Sequence, residues 1–190
     1  MTTFNRYSIA ALLAGFCAVA GCLFSTAHAA GFFVDRANTV LRDDVFYADA
    51  NINFQFSEKS LEVLDNGVPL TIQIDFEVRR TRWKWSTTVV SVSARYELAL
   101  HALSRHYVLR NLNLGTAQSF SSLDGARLAL GQVRDFPLVE NPLLAPDVDY
   151  TWRVRASLDI EALPAPLRPL AYLSSLWRRD SIWYEWPLHR

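Results

Sequence analysis

Beyond residue 22 the chain contains no cysteine. The body of the protein therefore has no disulfide framework, no thiolate metal ligand and no cysteine nucleophile. Lysine is nearly missing as well. Lys59 and Lys84 are the only two among 19 basic residues, and the other 17 are arginine. Nineteen acidic residues balance them, so the basic excess that marks a nucleic-acid binder is absent. The seven glycines form no phosphate-cradling loop. No Gly-x-Ser-x-Gly turn offers an activated serine.

What is present begins with the first 30 residues, which read as an export signal. Arg6 supplies a positive start, residues 9–24 are almost wholly apolar or small, and Ala27-His28-Ala29 places small residues where a signal peptidase reads them. Cleavage between Ala29 and Ala30 is expected. Removing 29 of the 190 residues leaves 161, enough for one domain with its own core. Both cysteines, Cys17 and Cys22, would leave with the leader. Two alternatives compete. Val19-Ala20-Gly21-Cys22 resembles a relaxed lipobox, which would tether the chain through a lipidated Cys22. A retained anchor is the other, although the apolar run is near the short limit of about 17–25 residues for a spanning helix.

In the remainder, residues alternate between apolar and polar, which is a strand signal. Phe46, Ala48, Ala50, Ile52, Phe54 and Phe56 form a dry face against Tyr47, Asp49, Asn51, Asn53 and Gln55. Leu70, Ile72, Ile74, Phe76 and Val78 form a second dry face. Val90, Val92, Ala94, Tyr96, Leu98 and Leu100 form a third, and Tyr150, Trp152, Val154, Ala156, Leu158 and Ile160 a fourth. Long strands with one wet face favour antiparallel sheets. Weaker strands are expected at residues 33–41, 107–114 and 181–186, with Asp43-Asp44 turning the first into the next. Ser57 is placed to cap a helix to Asp65, with Leu61 and Leu64 inward and Gly67 as its left-handed stop. Ser121 or Ser122 is placed to cap a second helix, running to about Arg134 and followed by Pro137 as a breaker. Residues 163–169 are a proline-rich connector to a short apolar stretch. The expected fold is mainly β: an antiparallel β-sandwich or strongly curved sheet with two short helices, in one domain from residue 30 to 190.

Catalytic chemistry finds little support. His101 and His106 are five residues apart. On one strand they would face opposite ways, and on one helix they would stand about 140° apart, so neither geometry makes a joint metal site. Neither a metal nor a cofactor is expected. Asp43/Asp44 and Asp147/Asp149 sit where turns are expected, and turn chemistry explains them. The stretch from Tyr96 to Tyr107 reads as one strand that breaks near His101-Ala102 and restarts. An active site there would need Tyr96, His101 or Arg105 to converge with a carboxylate.

Aromatic and basic residues cluster three times: at residues 79–85, at Trp177-Arg178-Arg179 and at Trp183-Tyr184-Glu185-Trp186. Flat rings beside guanidinium groups suit sugars, headgroups or a partner's anchor. The bland alternative is that the tryptophans cap the core while the cations snorkel to water. Arg80, Arg82, Trp83 and Trp85 are the candidate binding patch.

Several short stretches, in order, carry a resemblance. They are Gly67-Val68-Pro69-Leu70, Arg82-Trp83-Lys84-Trp85, Tyr96-x-Leu98 leading into residues 101–107, Ser119-Phe120-x-x-Leu123, and Leu158-Asp159 with Leu163-Pro164-x-Pro166-Leu167-Arg168. The chain resembles the uncharacterised exported bacterial family called domain of unknown function 4390, over about residues 37–186. His106 stands where the family pattern has glutamine, and Leu100 where it has an aromatic. The resemblance implies an exported, largely β protein, with no assigned activity or catalytic residues to carry over. It also implies an envelope role by association, since family genes often neighbour a two-component sensor kinase.

The function expected from these features is a non-enzymatic, periplasmic interaction module for an envelope protein partner or a membrane surface, with no nucleic-acid partner. The alternative is a β-sandwich that binds a small apolar or glycan ligand, between its sheets or on Trp83 and Trp85. Intact-mass measurement of the protein recovered from cells should give a chain starting at Ala30 without lipid. A diacylated start at Cys22 would refute this processing.

Overall fold

The structure is a computed structural model that describes residues 31–82, 85–174, 177 and 180–188. Residues 1–30, with Cys17, Cys22, Ala29 and Ala30, and the patch residue Trp83 with its neighbour Lys84 lie outside the described residues.

Nine strands form two antiparallel sheets. The small sheet has the order β1 (Phe32–Arg42), β2 (Val45–Phe54), β7 (Gln132–Glu140). The large sheet runs β6 (Ala117–Phe120), β5 (His106–Asn111), β4 (Trp85–His101), β3 (Leu70–Arg82), β8 (Tyr150–Leu158), β9 (Tyr184–Pro187). The expected mainly β, sandwich-like fold is therefore what forms. Among the described residues three α-helices accompany the sheets: α1 (Glu58–Asp65), α2 (Leu123–Gly131) and α3 (Arg168–Leu173). The third was not expected; it occupies the start of the apolar stretch after the proline-rich connector.

The dry faces read from alternation are the core. Phe46, Ala48, Ala50, Ile52 and Phe54 of β2 are buried, as are Leu70 to Val78 at every second position of β3 and Tyr150 to Leu158 at every second position of β8. The sheets meet ring to ring. Phe46 packs on Trp152 at 5.6 Å between centroids, and Phe76 stacks on Phe136 at 5.0 Å. Each such side chain contributes about 1.5–3 kcal/mol by leaving water.

Local signals set the connections. Arg42 pairs with Val45, so Asp43 and Asp44 form a two-residue hairpin loop, with φ of 48° and 59°. Both central residues of such a turn need positive φ, and aspartate tolerates it. Ser57 caps α1 by accepting the Ser60 amide at 3.1 Å. Gly67, at φ +83°, ends the same helix, and its amide donates to the Leu64 carbonyl. Val63 and Leu64 are the buried side chains of that helix, while Leu61 is only partly covered. Ser122 caps α2 through the Gly125 amide at 3.1 Å.

One expectation fails here. The helix expected to reach Arg134 stops at Gly131, and residues 132–140 become the edge strand β7. The cause is a close approach. A Cβ on Gly131 would lie 2.2 Å from the Ile52 carbonyl oxygen, so the chain touches β2 backbone to backbone and joins its sheet. Pro137 then sits in the edge strand, opposite Tyr47, where a missing amide is tolerated. The ladder skips Arg134 and Asp135. Arg134 spans the gap by donating to the Ala50 carbonyl at 3.0 Å and to Asn51 Oδ1 at 2.7 Å. Strand β6 was also missed, since four residues carry too little alternation to read.

Replacing Gly131→Ala should destabilise the fold by about 1–3 kcal/mol, the usual range for overpacking. Urea unfolding followed by circular dichroism would measure it, and an unchanged midpoint would contradict the close approach.

Candidate functional site

The β3–β4 hairpin carries the candidate patch. Strand β8 accompanies β3 only as far as Arg80, which pairs with Tyr150. The Thr81 amide still donates to the Asp149 carbonyl, and beyond that the hairpin projects past its neighbours. Arg82 pairs with Trp85 and Arg80 with Thr87. Because residues two apart share a face, Arg80 and Trp85 lie on the same side of the hairpin. Trp85 is 79 % exposed. Arg80 makes no ion pair among the described residues.

The other described tryptophans are used for packing. Trp152 is deep in the core and Trp177 is buried. Trp183 lies under two guanidinium groups, with Arg153 at 3.9 Å and Arg155 at 4.7 Å from its ring centroid. Trp186 donates through Nε1 to Thr39 Oγ1 at 3.3 Å. The capping role holds for these four and fails for Trp85. Of the three clusters, only the first leaves a described tryptophan in water. Arg178 and Arg179 of the second lie outside the described residues.

The wet face of β3 and β8 is internally compensated. Arg153 donates to Glu77 through Nε at 2.8 Å. Buried Asp75 accepts from Gln73 Nε2 and Ser93 Oγ, both at 2.7 Å, and from Arg155 at 3.3 Å. Arg95 pairs with Asp159 at 2.7 Å. These carboxylates have their partners, so this part of the face is a cross-strand ladder of charges.

Strand β4 is longer than its outer neighbour. Strand β5 covers only Tyr96 to His101, which leaves the other half of β4 with a bare edge. The structure blunts part of it. Asn113 acts as a one-residue strand, accepting the Arg95 amide at 2.7 Å and donating to the Ser93 carbonyl at 3.1 Å. Arg79 donates to the Ser86 carbonyl at 3.1 Å, and an extra residue, Val89, bulges the ladder. Such devices discourage edge-to-edge pairing. Beside the stretch still open runs an apolar groove of about 680 Å³, lined by Val89, Val90, Pro137, Leu138, Val139 and Leu143 among others. A more polar cleft of about 420 Å³ opens between β2 and α2, where Asp35, Asn51, Asn53, Asp124, Arg127 and Arg134 meet.

The Tyr–His–Arg constellation does not form. Tyr96 lies on the inner face of β4, where burial pushes its phenol up from the usual range. His101 is five positions along and faces the other way, and Arg105 is in the turn, at φ 56°. The strand does break and restart where the sequence indicated, between His101 and His106. One consequence was missed. The hairpin makes His101 and His106 direct cross-strand partners, so they share a face. The opposite-face reading assumed a single continuous strand. No group of three or more metal-ligating side chains gathers among the described residues. No described helix is long and apolar enough to cross a membrane.

The family model described as "Domain of unknown function (DUF4390)" matches residues 29–187. The chain belongs to that family. Neither the curated proteins nor the solved structures give a match.

If Trp85 is surface and Trp152 core, truncation should separate them. Trp85→Ala should shift unfolding by no more than about 0.5 kcal/mol, and Trp152→Ala should cost about 3–5 kcal/mol. Paired denaturation curves would show it; a large loss at Trp85 would make the hairpin end a packing element.

Proposed function

We propose that this chain is a non-enzymatic protein of the cell envelope, exported to the periplasm, that binds a protein partner through the projecting end of its β3–β4 hairpin. The observation that carries the reading is Trp85. A tryptophan 79 % exposed at the end of a hairpin is unused in folding, and tryptophan and arginine are the residues that most often anchor an interface. Arg80 on the same side of the hairpin supplies a cation, and Arg82 is the register partner of Trp85 in the backbone ladder. The apolar groove farther along β4, which begins at Val89, gives a partner room to bury more surface. Export rests on the leader, and a lipid tether at Cys22 is the alternative form of the same location.

The cleft between β2 and α2 favours a second reading. Amide, carboxylate and guanidinium groups line its roughly 420 Å³, a chemistry that suits a small glycan. Native mass spectrometry of the protein mixed with glycan fragments tests it, and a spectrum with no bound species would remove it.

For the leading reading, crosslinking in intact cells followed by mass spectrometry compares the natural chain with the Arg82→Ala, Trp85→Ala double variant. The variant should fold with an unchanged denaturation midpoint and lose its crosslinks. A hot-spot loss of about 2 kcal/mol or more corresponds to roughly 30-fold in affinity. An unchanged crosslink set would make the patch structural. If the variant instead loses binding to anionic vesicles with its crosslinks intact, the hairpin serves a membrane surface.

A further inference from the structure

The turn between β4 and β5 brings together two residues that the chain keeps five apart. His101 and His106 are the closing pair of that hairpin, and both are exposed. Directly opposed residues on one sheet face have Cβ atoms about 4.5–5.5 Å apart, close enough for two imidazoles to reach one point.

Both rings are also oriented by the same turn residue. His106 Nδ1 donates to the Ser104 carbonyl oxygen at 2.8 Å. That bond places its ring proton on Nδ1 and leaves Nε2 as a lone pair. His101 Nδ1 lies 3.1 Å from Ser104 Oγ, and when the ring proton sits on Nδ1 the hydroxyl oxygen accepts it and the second Nε2 is free. The Ser104 amide also points at His101 Nδ1, at 3.4 Å. It is the longer and weaker of the two contacts, and it must yield when Nδ1 carries the proton. A backbone carbonyl on the far nitrogen is the usual way a protein fixes the tautomer of a metal-binding histidine. No carboxylate or cation is paired with either ring among the described residues.

We propose that His101 and His106 form an open, two-nitrogen site for a divalent transition metal of the zinc, copper or nickel class. Neutral imidazole suits these ions and leaves out magnesium and calcium, which demand oxygen ligands. The remaining coordination positions go to water or to a donor from another molecule, since the described residues offer two protein ligands. The site is at the far end of β4 from Trp85, sixteen residues along the strand, and does not rest on the partner-binding reading.

Zinc titration of the full chain tests this, with Cys17 and Cys22 alkylated so that no thiol competes. Calorimetry gives the affinity, and carbon–proton correlation spectra of the imidazole Cε1 positions show which rings respond. The expected result is one zinc per chain, with the His101 and His106 signals shifting together at a single midpoint. His101→Gln and His106→Gln should each weaken binding at least tenfold, while His28→Gln and His189→Gln leave it unchanged. Circular dichroism confirms that the exposed substitutions leave the fold intact. Separate midpoints for the two rings, or equal responses from all four histidines, would reduce the pair to ordinary surface imidazoles and overturn the site.

Discussion

Everything in this structure depends on the contact between the dry faces of two sheets of unequal size. The small sheet presents Phe46, Ala48, Ala50, Ile52 and Phe54 from β2, and the large one presents β3 and β8. With no cysteine available in this body, apolar burial and ring packing hold the layers together. Small residues matter as much as large ones here. Ala48 and Ala50 let β2 lie close to the layer opposite, while Phe46 and Trp152 fill the space at one end. The same need for close approach explains Gly131. Its bare backbone sits against the Ile52 carbonyl, ends α2 and turns the following residues into the third strand of the small sheet.

That unequal pairing creates the exposed features. The large sheet is built on a hairpin of 13- and 17-residue strands, and its neighbours β5 and β8 are shorter. The hairpin therefore overreaches at one end, where Trp85 is left in water and Arg80 is only half-buried, and β4 has a partly bare edge along its length. Asn113, Arg79 and the bulge at Val89 protect much of that edge. What they leave open borders an apolar groove that begins at Val89, so the exposed ring and the apolar channel lie along the same strand. At the opposite end the same strand turns into β5, and the turn is where His101 and His106 meet.

Much of the fold was legible because it follows from local rules. Alternation at Phe46 to Phe54, Leu70 to Val78 and Tyr150 to Leu158 reported burial directly, since a half-buried strand must alternate. Ser57, Ser122, Gly67 and the Asp43-Asp44 pair each read as a cap or turn, because each answers a need of its own few residues of backbone. Strand β7 was not legible. Residues 132–140 contain a proline and follow a helical stripe, and their strand identity comes from Ile52, some 80 positions earlier in the chain. The candidate patch was half legible. Composition pointed to three clusters and the candidate patch was placed in the first, at residues 79–85; burial then separated the exposed Trp85 from the packed rings of Trp177 and Trp183.

The sequence by itself determined the fold class, the main core faces, the principal turns and the absence of any thiol chemistry beyond the leader. These are consequences of periodicity, backbone preference and composition, which act over a few residues. The tertiary structure alone decided which tryptophan stays in water, where a helix must stop to let two backbones touch, and which polar residues become neighbours. The two histidines show the difference. Their spacing placed them on opposite faces of one strand, and the hairpin placed them on the same face of two, because a turn resets the alternation that spacing assumes.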